Sequence, residues 1–277
     1  MTISQTLKLA ISKLGSVKID FPHLEAEILL SAILKKPREF LPAHEEKILT
    51  AKQLSGFEHQ LTKRLKGLPI AYLTGHKEFY GLDFMVNKSV LIPRPETELM
   101  VDEAAKLATQ STRSLTLVDL GTGSGCIIIT LAKMLNQKFI AVDISSEALI
   151  VAKKNARLHG VDKKIKFIKS DLLSPVVLTS PLIILANLPY LTPSQIKESP
   201  SIKYEPKLAL TAGPDGLKYY RKLFKQIKKF HDITVLCEID PGQKTPIKQL
   251  TEQYLPHAKI QIKKDLAGLN RLAIINI

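Results

Sequence analysis

The run Asp119-Leu120-Gly121-Thr122-Gly123-Ser124-Gly125 has residue types and spacing suited to holding a ligand. Glycine lacks a Cβ, so it accepts positive φ and lets a ligand approach the backbone closely. A dinucleotide-binding turn reads G-x-G-x-x-G. Here the glycines fall at G-x-G-x-G, with the acidic Asp119 two positions ahead of the first. That carboxylate suits a cationic ligand better than a pyrophosphate. S-adenosylmethionine, with a sulfonium, an ammonium and no phosphate, has the matching charge. A tight strand-to-helix turn with no ligand is the plain alternative. Asp143 ends a second apolar run and is placed to accept both hydroxyls of a ribose, or merely to cap the helix that follows. Asp171 ends a third such run; it can accept from an adenine amino group while Leu172 packs on the ring, although a solvated turn aspartate explains it as well. The 7 histidines are scattered without metal-ligand spacing, so no metal is expected. Cys126 reads as a packing residue, and Glu238 as a site residue or a structural one.

These residues need elements to position them, and from about residue 115 strands and helices alternate. The predicted strands are 115–120, 138–143, 164–171, 181–190 and 233–240. The predicted helices are 126–135, 145–159, 215–230 and 245–254. Alternating βα units imply a parallel sheet covered by helices. Ligands in such sheets bind at the carboxyl ends of the strands. The last two runs, 258–265 and 270–277, have no helix between them and predict an antiparallel hairpin at the sheet edge. Residues 1–66 show helical spacing at Ile3, Leu7, Ile11 and Leu14 and again at Leu24, Ile28 and Leu29, with a third candidate helix from Glu45 to Leu65. Phe79 to Phe84 reads as the turn of a hairpin, and Pro93 and Pro95 punctuate a rigid linker before a helix starting at Glu96-Thr97. The expected organisation is a helical domain over 1–75, a hairpin and linker over 76–98, and an α/β (Rossmann-like) domain over 99–277.

The chain has 277 residues, of which 45% are hydrophobic and 24% charged, the profile of a globular protein with a sizeable core. No apolar run has the ~20 residues that span a bilayer, and the N-terminus lacks a signal-type apolar core. Only 2 cysteines exclude a disulfide framework. The cytoplasm is the expected location, without a membrane partner. A net charge of +14 favours acidic partners, nucleic acid among them. The lysines are spread along the chain, however, as in a lysine-rich proteome.

After the fourth strand comes Asn187-Leu188-Pro189-Tyr190, which resembles the (N/D)-P-P-(Y/F) motif of methyltransferases acting on planar amino or amide nitrogens. Together with AYLTGHKEFYGLDF, LIPRPETE, DLGTGSG, EPKLALTAGPDGL, EIDPGQ and DLAGLNR, it makes the chain resemble the release-factor glutamine methyltransferase family (PrmC/HemK). LIPRPETE and the EP…AL…DGL stretch discriminate most, because nucleic-acid adenine methyltransferases share the (N/D)PPY motif. The resemblance implies an S-adenosylmethionine-dependent methyltransferase fold with a helical docking domain. It implies class-1 peptide chain release factors as partners, with the glutamine of their Gly-Gly-Gln motif as acceptor and S-adenosylhomocysteine as product. Nucleic acid is then not required. Leu188 stands where the family pattern has proline, keeping the carbonyl but losing the rigidity.

An amide nitrogen is a weak nucleophile because its lone pair is delocalised. Two acceptors facing its two N–H bonds hold it in place, and Asn187 Oδ1 and the Leu188 carbonyl are the candidates. Tyr190 can stack on the planar amide. The sulfonium already activates the methyl group, so positioning dominates catalysis. Asn187, Pro189 and Tyr190 form the expected catalytic set, and Asn187, Leu188, Pro189 and Tyr190 the substrate contacts. Asp119, Gly121, Thr122, Gly123, Ser124, Gly125, Asp143, Asp171, Leu172 and Asn187 form the expected cofactor side. Two other readings compete: an adenine methyltransferase, against which no target-recognition domain is found, and a non-catalytic S-adenosylmethionine sensor, against which the intact Asn187 and Tyr190 stand.

Overall fold

A threonine three residues ahead of a glutamine opens two of the N-terminal helices. Thr2 and Gln5 form a capping box for α1 (Ile3–Ser16), and Thr50 and Gln53 one for α4 (Ala51–Leu65). Each box satisfies N–H groups that a helix start leaves without partners. Between these, α2 (Pro22–Leu34) starts on proline and stops at Lys35 in the left-handed region, and α3 (Phe40–Ala43) is a single turn. The expected helix from Glu45 therefore begins only at Ala51. Residues 44–50 instead bond the chain start, Ile3 N–H donating to Lys47 O at 3.0 Å and Leu49 N–H to Met1 O at 3.0 Å. A short α5 (Ile70–Thr74), not foreseen, ends on Gly75. Ile3, Leu14, Leu29, Leu30, Phe57 and Leu61 are buried as one core. The Arg64 guanidinium grips the Glu25 carboxylate through two bonds of 2.5 and 3.0 Å.

The structure, a computed structural model, describes residues 1–174, 181–199 and 202–277. It divides into two compact units, Met1–His76 and Lys77–Ile277. Near the start of the second unit, strands β1 (His76–Phe79) and β2 (Leu82–Met85) form the expected hairpin. Tyr80 (φ 53°) and Gly81 (φ 71°) are both left-handed at its turn, the combination that matches strand twist in two-residue hairpins. After a 3-10 turn at Pro95–Thr97 comes α6 (Glu98–Gln110).

The strands and helices expected from residue 115 follow, with α9 not foreseen: β3 (Thr116–Leu120), α7 (Cys126–Met134), β4 (Lys138–Asp143), α8 (Ser146–Leu158), β5 (Ile165–Lys169), β6 (Leu182–Ala186), α9 (Pro193–Glu198), α10 (Lys218–Ile227), β7 (Ile233–Glu238), α11 (Lys244–Tyr254), β8 (Lys259–Lys264) and β9 (Asn270–Asn276). The seven strands lie in the order β5-β4-β3-β6-β7-β9-β8. All neighbours are parallel except β9, which runs antiparallel to both β7 and β8 and forms the expected edge hairpin. Period-two alternation splits the core between the two sheet faces. Leu117, Ile183, Leu185 and Leu236 pack with Met100, Val101, Ile128 and Leu131 of α6 and α7. Val118, Ile184, Val235 and Cys237 pack with Tyr220, Leu223, Phe224 and Ile247 of α10 and α11. Each fully buried Leu, Ile or Phe among them is worth roughly 1.5–3 kcal/mol. The expected helix from Asp215 begins only at Lys218, because Gly216 is left-handed (φ 70°) and Asp215 accepts the Leu217 N–H at 3.1 Å. Among the described residues no helix is long and apolar enough to cross a membrane.

Candidate active site

The parallel order leaves the carboxyl ends of β3, β4, β5 and β6 side by side, and the loops leaving them build the site. After β3 the glycine loop is pinned to β4: the N–H groups of Gly121 and Thr122 both donate to Val142 O, at 2.8 and 2.9 Å. Gly125 ends the loop at φ 82°, where a Cβ would sit 2.7 Å from Ile129 Cδ1, so both conformation and space call for glycine. The Asp143 carboxylate spans two loops, accepting the Gly123 N–H on Oδ2 and the Ser145 N–H on Oδ1, each at 2.9 Å. It thus helps cap α8, where the Ser145 hydroxyl accepts the Ala148 N–H at 3.1 Å. Burial raises the Asp143 pKa, against the pull of backbone N–H groups. Its oxygens keep further lone pairs.

Asp119 lies behind the loop rather than on its open face. It is buried, and Oδ2 accepts the Thr122 hydroxyl at 2.6 Å. Burial pushes its pKa up to about 7, with the Thr122 hydrogen bond opposing.

In front of the loop is a cavity of about 790 Å³, within the usual range for small-molecule sites. Gly121, Thr122, Gly123 and Ser124 line it, as do Asp143, Asp171 and Leu172 from the next two strand ends. Asn187, Leu188 and Pro189 close another side. Asp119, Gly125 and Tyr190 are not at its surface, although sequence reasoning grouped them with the others. Strand β5 ends at Lys169 rather than at Asp171, which forms a bridge with Ser174 while Leu172 turns left-handed at φ 57°. The Asp171 carboxylate is engaged by Lys222 of α10. Cys126 also borders the cavity, and burial pushes its thiol up to about 12, so it stays protonated. Among the described residues no cluster of His, Cys, Asp or Glu is placed to hold a metal ion.

The Asn187 side chain is held by its amino end: Nδ2 donates to Thr97 Oγ1 at 3.1 Å. Among the described residues no hydrogen bond reaches Asn187 Oδ1 or the Leu188 carbonyl. The Tyr190 hydroxyl donates to Glu238 Oε1 at 3.1 Å, and its carbonyl accepts from Gln243 Nε2 at 3.1 Å. Burial, then the Glu238 charge, raises the Tyr190 pKa, so the phenol is neutral. Leu191 bonds the 205–217 stretch, donating to Leu210 O at 3.0 Å and accepting from Ala212 at 2.9 Å.

Sequence reasoning missed several of these supports. Asn155 is fully buried and ties β2 to the glycine loop. Its Nδ2 donates to Met85 O at 2.9 Å and Ser124 O at 2.8 Å, and its Oδ1 accepts the Met85 N–H at 2.8 Å. Glu205 clamps the proline-rich linker, pairing with Arg94 and accepting the Ile92 N–H at 3.2 Å. Arg94 thus has a partner that a linear reading does not supply, whereas Glu96 is exposed. Polar side chains inside apolar helix faces are the only sequence signal that marks residues such as Asn155.

Residues 5–75 match the PrmC N-terminal domain family and residues 111–265 the Methyltransferase domain family. A release factor glutamine methyltransferase of Chlorobaculum tepidum is 39% identical over 233 residues, 80% of this chain and 79% of that one. Another, of Bacillus anthracis, is 37% identical over 260 residues, 91% of each chain. The catalytic domain of hMettl16, solved with the MAT2A 3′UTR hairpin 1, superposes with a TM-score of 0.60 at 15% identity over 89% of this chain and 90% of that one, and shares the fold. The chain is an enzyme, a methyltransferase, and belongs to the release factor glutamine methyltransferase family.

Proposed function

We propose that the enzyme transfers a methyl group from S-adenosylmethionine to the side-chain amide nitrogen of the glutamine in the Gly-Gly-Gln motif of class-1 release factors. S-adenosylhomocysteine is the other product. The observation that carries this reading is the placing of Asn187, anchored through Nδ2 with Oδ1 unengaged, on the same cavity as the glycine loop and Asp143.

The donors and acceptors present fit S-adenosylmethionine. Asp143 borders the cavity with spare lone pairs for ribose hydroxyls, while Asp119, off the cavity surface, orders the loop from behind by accepting the Thr122 hydroxyl. Only Gly121 O, 3.8 Å away, lies near the Cβ position of Gly123, so the loop leaves room for close approach. Leu172 offers an apolar surface for the adenine. Asp171 reaches the adenine amino group only by sharing its carboxylate with Lys222. When bound, S-adenosylmethionine supplies a methyl group on a sulfonium, which calls for no metal.

The chain's own task is to hold the acceptor nitrogen. Asn187 Oδ1 and the Leu188 carbonyl take its two N–H bonds, fixing it against the methyl group, and one proton leaves to solvent as the new C–N bond forms. Pro189 stiffens the turn, and Tyr190 covers the glutamine amide. Such positioning can supply roughly 7–11 kcal/mol of barrier reduction. The helical unit, Met1–His76, docks the release factor, and the reaction belongs in the cytoplasm.

The test supplies labelled S-adenosylmethionine with a class-1 release factor, DNA and RNA in parallel. Label on the Gly-Gly-Gln peptide of the release factor supports the proposal. Label on DNA or RNA with none on that peptide makes the enzyme a nucleic-acid methyltransferase, and no label anywhere leaves a binding module.

A further inference from the structure

Glu238 is buried at the end of β7, and burial raises its pKa, yet both its oxygens are occupied by hydroxyl donors. Thr97 Oγ1 donates to Oε2 at 2.7 Å and the Tyr190 hydroxyl to Oε1 at 3.1 Å. In its ionised form Glu238 only accepts hydrogen bonds, so each hydroxyl then spends its one proton on it. Thr97 Oγ1 then has only lone pairs left for Asn187, and it can meet the Nδ2 end of the amide but not the Oδ1 end. The two ends of an asparagine amide are nearly the same in size, so packing alone does not choose between them. The polarity of the relay does.

We propose that Glu238 and Thr97 are positioning residues for methyl transfer: their carboxylate–hydroxyl relay fixes which end of the Asn187 amide meets the acceptor nitrogen. The inference rests on the reading of Asn187 as an acceptor for the glutamine N–H. A flipped amide would set its own N–H bonds against those of the glutamine, leaving donors facing donors. The same carboxylate holds the Tyr190 phenol, so one residue sets both ends of the Asn187–Tyr190 motif. The relay also gives the proline-rich linker a role. The 3-10 turn at Pro95–Thr97 delivers the hydroxyl of Thr97, a residue 2% exposed, beneath the motif.

The experiment measures turnover with a class-1 release factor as acceptor, together with S-adenosylmethionine affinity by calorimetry, for Thr97→Val, Thr97→Ser, Asn187→Ala and the Thr97→Val/Asn187→Ala pair. Thr97→Val keeps the shape and deletes the hydroxyl. It is expected to lower kcat by about ten- to a hundredfold, the scale set by a misplaced reacting group, with cofactor affinity unchanged. Thr97→Ser restores the hydroxyl and the rate. In the Asn187→Ala background Thr97→Val adds no further loss, because it acts through the residue already removed.

Wild-type turnover in Thr97→Val while Asn187→Ala is slow overturns the relay alone. Wild-type turnover in Asn187→Ala overturns the reading of Asn187 beneath it. Parallel loss of cofactor affinity and turnover in Thr97→Val, without rescue by serine, marks a merely structural threonine and also overturns the relay. Should Thr97→Val fail to fold, the Asn187 side-chain N–H resonances of the wild-type protein, assigned by their loss in Asn187→Ala, decide the matter. Slow solvent exchange supports the relay, and exchange at the rate of a free amide overturns it.

Discussion

Gly216 lies directly against the backbone of Tyr190: a Cβ at position 216 would overlap the Tyr190 carbonyl oxygen and stand 2.5 Å from Gln243 Nε2. Gln243 donates to that same carbonyl at 3.1 Å, so the 213–217 turn and the loop after β7 grip the motif from two directions. With φ at 70°, Gly216 also occupies a conformation that side chains disfavour.

Gly216→Ala is therefore expected to push the Asn187–Tyr190 loop out of place. Stability should fall by about 1–3 kcal/mol, the usual cost of strain of this kind. The surviving folded protein should bind S-adenosylmethionine normally and turn over more slowly. Denaturant melts with single-turnover kinetics check this, and an unchanged rate removes Gly216 from the support of the site.

Asp143→Ala should weaken S-adenosylmethionine binding by tenfold or more, since a hydrogen bond to a charged group is worth about 1.5–3 kcal/mol. The loss includes the Gly123 and Ser145 contacts that order the two loops. Calorimetry on the folded variant is the measurement, and unchanged affinity removes the ribose role.

Asn187→Ala should spare S-adenosylmethionine binding and slow methyl transfer, because an acceptor N–H left unpaired costs about 1–3 kcal/mol before any misalignment. Asn187→Asp should also be impaired. It replaces the donor that Thr97 Oγ1 accepts with a carboxylate oxygen, setting two acceptors face to face. Mass spectrometry of the Gly-Gly-Gln peptide after single-turnover incubation reads both, and wild-type rates in either contradict the assignment.

Leu188→Pro should retain turnover, because the carbonyl stays. Leu188 is 3% exposed and its Cδ2 lies 3.4 Å from where a Gly121 Cβ would be. Replacing that buried side chain should cost about 1–2 kcal/mol of stability. Loss of turnover without unfolding would give the leucine side chain or its N–H a role of its own.

Asp119 has a folded-state pKa raised from 3.8 to about 7 by burial. The folded protein then holds a proton that the unfolded chain has lost, so stability falls as pH rises between about 4 and 7 and is level outside that window. Asp119→Asn should remove this component of the pH dependence. Urea titrations of both proteins at pH 5, 6 and 8 test it, and parallel pH profiles would show that Asp119 ionises normally.

Much of this protein was legible from local pattern. Apolar runs ending at Leu120, Asp143 and the Asn187 motif specify parallel strands whose ends meet, and glycine spacing at 121, 123 and 125 marks the loop because backbone conformation is a local property. The absence of a helix between the last two strands sufficed for the edge hairpin. Tertiary structure decided what stands behind those residues. Thr97 and Glu238 are 141 positions apart, Arg94 and Glu205 are 111 apart, and Asn155 reaches Met85 across 70. Hydrogen-bond partners at such separations follow no sequence period; the packing of sheet, hairpin and linker brings them together. For the same reason the sequence does not disclose that the Tyr190 hydroxyl bonds Glu238 or that the Asp171 carboxylate is paired with Lys222. Local sequence determines which groups can do chemistry, and the long-range polar contacts decide which way each one points.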